Sequence, residues 1–342
     1  MVKKDAKIYV AGHRGLVGSA IVRQLEAKGY TNIITRTHAE LDLVNQQAVE
    51  DFFKTEKPEY VFLAAAKVGG IMANSTYRGE FIYLNLMIQS NIMHQSKVQG
   101  VKRLVFLGSS CIYPKMASQP IKEEYLMTGP LEPTNSPYAV AKIAGIEMCH
   151  AYNDQYGTSF VPVMPTNLYG PGDNFDLEKS HVLPSLVRKF HLGKLAMAGD
   201  WEGIESDEKR WGAIPNGFKE AIGYDHKDAC DCEVVLWGTG SPYREFLYVD
   251  DMANACVFIM FEQDSTELLN IGTGVDLTIR EVAELVADVV GYEGSIVWDA
   301  SKPDGTPRKV LDVSRMKKIG WGSTMGLTNG LKLFYNWYLS EA

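Results

Sequence analysis

No apolar run in this chain of 342 residues approaches the roughly 18 residues that would suggest a membrane span. The first residues, Met1-Val2-Lys3-Lys4-Asp5-Ala6-Lys7, lack the apolar core of a secretory leader and lead straight into a strand. Cysteine is scarce. Cys111, Cys149, Cys230, Cys232 and Cys256 are odd in number and too scattered for a disulfide framework. Positive charge is in deficit, with 34 Lys and Arg against 42 Asp and Glu, a net charge of -8 and a pI of about 5.5. Such a surface disfavours nucleic acid and anionic membrane, but it allows a local basic pocket for an anionic substrate. Internal repeats and low-complexity segments are absent too. These absences point to a reduced, cytoplasmic protein with no nucleic-acid or membrane partner.

What is present is an ordinary globular composition, 46% hydrophobic and 22% charged, long enough for a full core without staples. Residues 7–11 (KIYVA) read as a short buried strand. A glycine-rich turn follows, then an amphipathic run with Val17, Ile21 and Leu25 on one face and Gly29 as its stop. Strands are expected at 32–35, 60–65, 103–107 and 160–164, and helices at 46–55, 79–97 and 139–155. Strand and helix alternate about every thirty residues, the pattern of a parallel sheet with helices on both faces. The fold expected is α/β, a Rossmann-type doubly wound sheet with a smaller α/β substrate-binding C-terminal domain. The nucleotide domain is expected to comprise 1–170 plus about 240–275, and the substrate domain about 171–239 and 276–342. In the second half, helices are expected at 182–191, 250–261, 278–290 and 327–338, and strands at 234–237, 268–271 and 295–298. The polar stretch 199–232 has little periodicity and reads as a mostly irregular insertion.

Ligands of such sheets bind beyond the carboxyl ends of the strands. Gly12, Gly15 and Gly18 have G-x-x-G-x-x-G spacing between a strand and a helix, the context that a dinucleotide loop needs. Gly12 permits the turn, Gly15 lets backbone approach a pyrophosphate, and Gly18 allows close helix–strand packing. The second strand, 32–35, is followed by Arg36 rather than by an acid, and Arg14 lies in the glycine loop. Two guanidinium groups suit the 2′-phosphate of NADP, against the competing reading of two solvated surface arginines. Glu40 and Asp42 are nearby, with Asp42 expected at the adenine.

Tyr138 and Lys142 stand four apart and share one face of a helix opened by Ser136-Pro137. A neighbouring ammonium lowers the pKa of a phenol, which suits proton exchange with an oxygen at a hydride-transfer carbon. At the end of the fourth strand Ser109 or Ser110 can orient a carbonyl, or serve simply as a turn residue.

The segments AGHRGLVGSAI, LAAAKVGGI, LGSSCIYPK, LEPTNSPYAVAKIAGI, MPTNLYGP, SHVLPSLVRKF, REFLYVDDM and SKPDGTPRK together resemble the extended short-chain dehydrogenase/reductases. Within them the chain is similar to the branch that epimerises and reduces GDP-4-keto-6-deoxy-D-mannose. The likeness runs from near the N-terminus to Lys309, except across 199–232. It implies inversion at C3 and C5 of a GDP-linked keto-deoxy sugar, then reduction of C4 with NADPH. Cys111 and His181 match the epimerisation pair, with Cys111 as base and His181 as acid. Ser109 would assist Tyr138, and Lys142 would also bind the nicotinamide ribose. The cofactor contacts implied are Gly12, His13, Arg14, Gly15, Leu16, Val17, Gly18, Arg36, Ala64, Ala65, Leu107, Gly108, Ser109, Ser110, Tyr138, Lys142, Pro165, Thr166, Asn167, Leu168 and His181. Lys189, Trp237, Arg244 and Asp304 would reach the GDP-sugar, Arg244 as a diphosphate ligand and Trp237 by packing on the nucleotide or sugar. Lys189 keeps the charge but not the fork of the arginine that some relatives carry. A homodimer through the helices around 79–97 and 139–155 is also implied.

Asp225, His226, Asp228, Cys230, Asp231 and Cys232 cluster in the insertion, but their spacing matches no zinc pattern. They read as a solvated loop, so no metal is expected.

Overall fold

The computed structural model describes residues 2–224, 232–302 and 304–341. Along the chain run β1 (Ile8–Ala11), α1 (Leu16–Ala27), β2 (Ile33–Ile34), α2 (Gln46–Glu56), β3 (Tyr60–Leu63), α3 (Ile71–Thr76), α4 (Arg78–Val98), β4 (Arg103–Leu107), α5 (Ser136–Tyr156) and β5 (Phe160–Pro165). Then follow β6 (Asn167–Tyr169), α6 (Val182–Met197), α7 (Trp201–Trp211), α8 (Asn216–Ala221), β7 (Glu233–Trp237), β8 (Tyr243–Tyr248) and α9 (Val249–Glu262). Last come β9 (Leu269–Ile271), β10 (Asp276–Thr278), α10 (Ile279–Val290), β11 (Ser295–Asp299), β12 (Arg308–Lys309), α11 (Ser314–Lys318) and α12 (Leu327–Glu341).

Contacts divide the chain into two units, the first holding 1–168, 246–274 and 311–324. Its sheet has the order β2-β1-β3-β4-β5-β9, with every pairing parallel. Side chains alternate between two cores. Ile8, Val10, Phe62, Val105 and Val161 pack with α1 and α9, while Tyr9, Ala11, Val61, Leu104 and Phe106 pack with α2, α4 and α5. Both faces are therefore covered, which is why these strands read as unbroken apolar runs.

The second unit holds 169–245, 275–310 and 325–342. In it β7 and β11 pair in parallel, and β8 pairs with β10 antiparallel and with β12 in parallel. Helix α10 starts at a capping box, Thr278 with Glu281, and stops at Gly291 in a left-handed conformation. Its core includes an aromatic cluster in which Phe175 meets Trp211 at 4.7 Å and Tyr338 at 4.7 Å between ring centroids.

Two expectations need correction. The stretch 199–232 is not mostly irregular, because α7 and α8 occupy 201–211 and 216–221. Apolar periodicity missed α7 because its buried residues are one apolar and one charged, Ile204 and Asp207. The helix is held instead by its cap, the Asp200 carboxylate accepting from the Gly203 amide, and by Arg188 of α6. Arg188 is wholly buried and donates to Asp207 at 2.8 Å, and also to the carbonyls of Phe175, Trp211 and Gly212. Tyr338 of α12 donates to the other Asp207 oxygen.

The second correction concerns 311–324, expected in the substrate domain but belonging to the first unit. The Asp312 amide donates to the Ile121 carbonyl at 2.8 Å, Met316 is fully buried in the first core, and Trp321 donates to Asn254 at 3.0 Å. These long-range ties leave no local signature. Of the suspected metal cluster, 225–231 lies outside the described residues, and Cys232 is buried. Among the described residues no acid, His and Cys group could hold a metal, and no helix is long and apolar enough to cross a membrane. Among the described residues no disulfide joins Cys111, Cys149, Cys232 or Cys256.

Removing Asp207 would strand the buried guanidinium of Arg188. Asp207→Ala is expected to lose about 3–5 kcal/mol in urea denaturation. A loss below about 1 kcal/mol would mean that the three carbonyls suffice.

Candidate active site

β1 lies between β2 and β3, so the chain leaves β1 toward one edge of the sheet and returns on the other side. A crevice opens at that reversal, beyond the carboxyl end of β1. Gly12 turns there with φ +85°, and a Cβ on it would stand 2.8 Å from the Ala64 oxygen and the Ala65 nitrogen. A Cβ on Gly18 would stand 2.1 Å from the Gly12 oxygen. At Gly15 the nearest atom would be 3.4 Å away, which leaves the approach open. Gly15 caps α1, whose first turn carries no acid, so its amides and dipole face the crevice uncompensated. His13 is hydrogen-bonded to the Arg36 backbone and feels the charges of Arg14 and Glu40. Its pKa is lowered, chiefly by burial and then by Arg14. The glycine loop and the end of β2 therefore meet.

Arg36 is not the free clamp expected. Its guanidinium donates to Glu56 at 2.5 Å and to the Thr35 carbonyl, and it lies 5.4 Å from the Phe52 ring. A 2′-phosphate there would share Arg36 with Glu56, while Arg14 is exposed. Pro165 ends β5, and Thr166, Asn167 and Leu168 follow it, the Thr166 amide donating to the Ile271 carbonyl at 3.0 Å. The cradle of Gly12, Gly15 and Gly18 fits a dinucleotide.

Beyond β4 the chemistry-bearing residues converge. Gly108 is pinned by its amide to the Val163 carbonyl at 2.8 Å. Ser109 begins a 3-10 turn, Ser110–Ile112, and its hydroxyl accepts from the Cys111 amide at 3.4 Å. Ser110 is buried. Tyr138 enters from the first turn of α5, edge-on to Phe81, and its hydroxyl is hydrogen-bonded to Ser109. Lys142, one turn on, is buried, donates to the Leu107 carbonyl at 2.8 Å, and lies 5.9 Å from the Tyr138 ring centre.

The electrostatics differ from those expected of the bare pair. Burial pushes the Tyr138 phenol well above its ordinary value, and the Cys111 sulfur adds to the rise. Ser109 opposes it, whereas Lys142 is not among the causes. Burial also brings Lys142 down to about 8, with Cys111 pulling the other way. Burial therefore dominates, and it favours the neutral phenol of Tyr138, the form that donates a proton.

The second unit carries the other expected residues. His181 is the N-cap of α6, with an exposed edge. The protein around it and the Lys309 charge hold its pKa below the usual value, burial being the larger cause. Lys189 projects from α6 and donates to the Val235 carbonyl at 3.2 Å. Trp237 ends β7 with 65% of its surface exposed, which rules out a core role, and Lys302 lies 5.6 Å from its ring. Asp304 accepts from the amide and hydroxyl of Thr239, and Arg244 donates to the Thr306 carbonyl at 2.6 Å. Burial lowers the Arg244 pKa, partly offset by Asp304. Thr239 was not foreseen. It lies in a Gly-Thr-Gly turn after a strand, and that turn was its only signal.

A dinucleotide cradle beside a Tyr–Lys pair on a parallel sheet defines an oxidoreductase of the short-chain dehydrogenase/reductase class. Residues 8–272 match the model of the NAD dependent epimerase/dehydratase family. The chain is 54% identical over 341 residues to GDP-L-fucose synthase 1 of Arabidopsis thaliana, covering 100% of this chain and 95% of that one. It is 50% identical to the GDP-L-fucose synthase of Escherichia coli K12, covering 98% and 97%. Among solved structures it resembles a GDP-mannoheptose C4 reductase of Campylobacter jejuni with NADP bound, at TM-score 0.86 and 43% identity, covering 99% of this chain and 100% of that one. The chain belongs to the NAD dependent epimerase/dehydratase family.

Gly18→Ala tests the cradle. With a Cβ that would stand 2.1 Å from backbone oxygen, the loop must open, and NADPH affinity measured by fluorescence is expected to fall about a hundredfold or more. Unchanged affinity would remove the loop from the cofactor site.

Proposed function

We propose that this chain converts GDP-4-keto-6-deoxy-D-mannose to GDP-L-fucose, inverting C3 and C5 and reducing C4 with NADPH. The observation that carries this is the convergence of Ser109, Cys111, Tyr138 and Lys142 at the carboxyl end of β4, with Cys111 close enough to raise the Tyr138 pKa. Reduction alone would need Tyr138, Ser109 and Lys142. The Cys111 sulfur at the same point is a group that, as thiolate, can remove a proton from carbon beside a ketone.

The C4 ketone acidifies the C–H bonds at C3 and C5. The Cys111 thiolate takes a proton from one face, and the His181 imidazolium returns one to the other. Its low pKa makes His181 a strong acid once protonated. The Tyr138 and Ser109 hydroxyls hold the C4 oxygen while it carries enolate charge. When bound, NADPH supplies the hydride to C4. Tyr138 then gives its proton to the C4 alkoxide, which a phenol kept neutral by burial is suited to do. Lys142 orients Tyr138 and holds the nicotinamide ribose. The residues 12–18, with Arg14 and Arg36, hold the pyrophosphate and the 2′-phosphate. In the second unit, Lys189, Trp237, Arg244 and Asp304 bind the GDP portion. We place the protein in the cytoplasm as a homodimer through α4 and α5, whose exposed Tyr83, Val140 and Tyr156 support a covered face. Its net charge of -8 supports no nucleic-acid or anionic-membrane partner.

The deciding experiment incubates the protein with GDP-4-keto-6-deoxy-D-mannose and NADPH and follows oxidation of NADPH together with the sugar product. Absence of oxidation and of GDP-L-fucose would sink the proposal. Reduction in deuterated water without label at C3 and C5 would reassign the chain as a C4 reductase. Cys111→Ser is expected to slow deuterium exchange at C3 and C5 by about a hundredfold or more while leaving NADPH affinity within about twofold. Unaltered exchange would remove Cys111 from the mechanism.

A further inference from the structure

Two successive cations of α6 are treated in opposite ways. Arg188 is satisfied by one carboxylate and three carbonyls. Lys189 has no ion-pair partner among the described residues. Its ammonium makes a single hydrogen bond, to the Val235 carbonyl, and faces the Phe218 ring 5.8 Å away. Leaving a crowded ammonium without a counter-charge is costly. On the neighbouring helix α7, two successive carboxylates are engaged elsewhere. Asp207 holds Arg188, and Glu208 holds Lys219 at 2.8 Å and the Ile214 amide at 2.9 Å. Of the other basic groups on α6, Lys194 donates to the Val290 carbonyl and His191 is bonded to Tyr335. Among the described residues no charged neighbour contributes to the state of Lys189. Burial alone brings its pKa down to about 8. The aromatic wall and the diverted acids all belong to one stretch, 200–221.

We propose that the helical segment 201–221 is an anion-site device, in which Phe218 is a positioning residue that keeps the Lys189 ammonium desolvated and unpaired, so that a nucleoside diphosphate supplies its missing counter-charge. The choice of ligand rests on the GDP-sugar reading above. The Lys219–Glu208 pair fixes α8 to α7, and Arg188 with Asp207 fixes α7 to α6, so the Phe218 ring is held by ion pairs at both steps. Below its pKa Lys189 is charged and attracts the diphosphate across a low-dielectric wall. Above it, the free protein holds neutral Lys189, and an arriving anion restores the charge by taking up a proton.

The test is calorimetric titration of the full chain with GDP near pH 7 and near pH 8.5, in two buffers of different ionisation heat. With a Lys189 pKa of about 8, wild-type affinity should fall about fourfold between them, with about 0.8 proton taken up at the higher pH. Phe218→Ala should flatten the pH dependence and lose the uptake, because a solvated Lys189 stays charged, and Phe218→Tyr should keep both. Lys189→Arg should bind GDP without proton uptake. Wild-type uptake in Phe218→Ala, or uptake surviving in Lys189→Arg, overturns the proposal. Competitive acetic-anhydride labelling of Lys189 without ligand reads its pKa directly, so the idea is decided even if Phe218→Ala does not fold. A value near that of an ordinary lysine overturns it. GDP that binds at neither pH sinks the GDP-sugar reading, while the labelling result still decides the role of Phe218.

Discussion

The placement of β1 between β2 and β3, all three parallel, is the constraint from which the rest of the first unit follows. Parallel pairing sends every strand's carboxyl end to the same edge, so the loops after β1, β2, β3, β4 and β5 gather there without further instruction. The reversal at β1 separates two of those loops and leaves a crevice between them. Its floor is so tight that Gly12 meets the backbone of Ala64 and Ala65, and Gly18 meets Gly12. No side chain fits at those contacts. The space a Cβ would have taken is what lets helix α1 present its amides to an anion.

One strand further along, the same edge has a different character. Ser109, Cys111, Tyr138 and Lys142 are drawn into a site where burial decides protonation more than any neighbour does. A phenol kept neutral by burial is suited to giving up a proton, and Lys142 stands one turn further along the same helix. The burial comes from packing. Phe81 stands edge-on to Tyr138, Phe106 lies beneath Lys142, and Met164 fills the space against Gly108.

In the second unit, charge takes over the task that apolar packing performs in the first. Helix α7 has a largely polar surface and docks through Arg188, Asp207 and Tyr338. On α6 one cation, Arg188, is wrapped in polar partners, while the next, Lys189, has no ion-pair partner among the described residues. Helix α8, tied to α7 by the Lys219–Glu208 ion pair, places an aromatic ring, Phe218, beside Lys189.

The amino-acid sequence by itself determined the central sheet, its helices, the glycine loop and the Tyr138–Lys142 pairing. These depend on local periodicity, caps and fixed spacing along one helix, as in the strand 103–107, which matches β4. The assignment of Cys111, His181 and the GDP-sugar contacts came from resemblance to a family, since no local rule brings residues 111 and 138 together. Tertiary structure alone decided four things. It pairs Arg36 with Glu56, it makes helices of 201–211 and 216–221, it moves 311–324 into the first unit, and it keeps Tyr138 neutral despite Lys142. Each turns on a long-range partner or on burial. Burial and distant partners are properties of the folded surroundings, and periodicity within a segment carries no record of them.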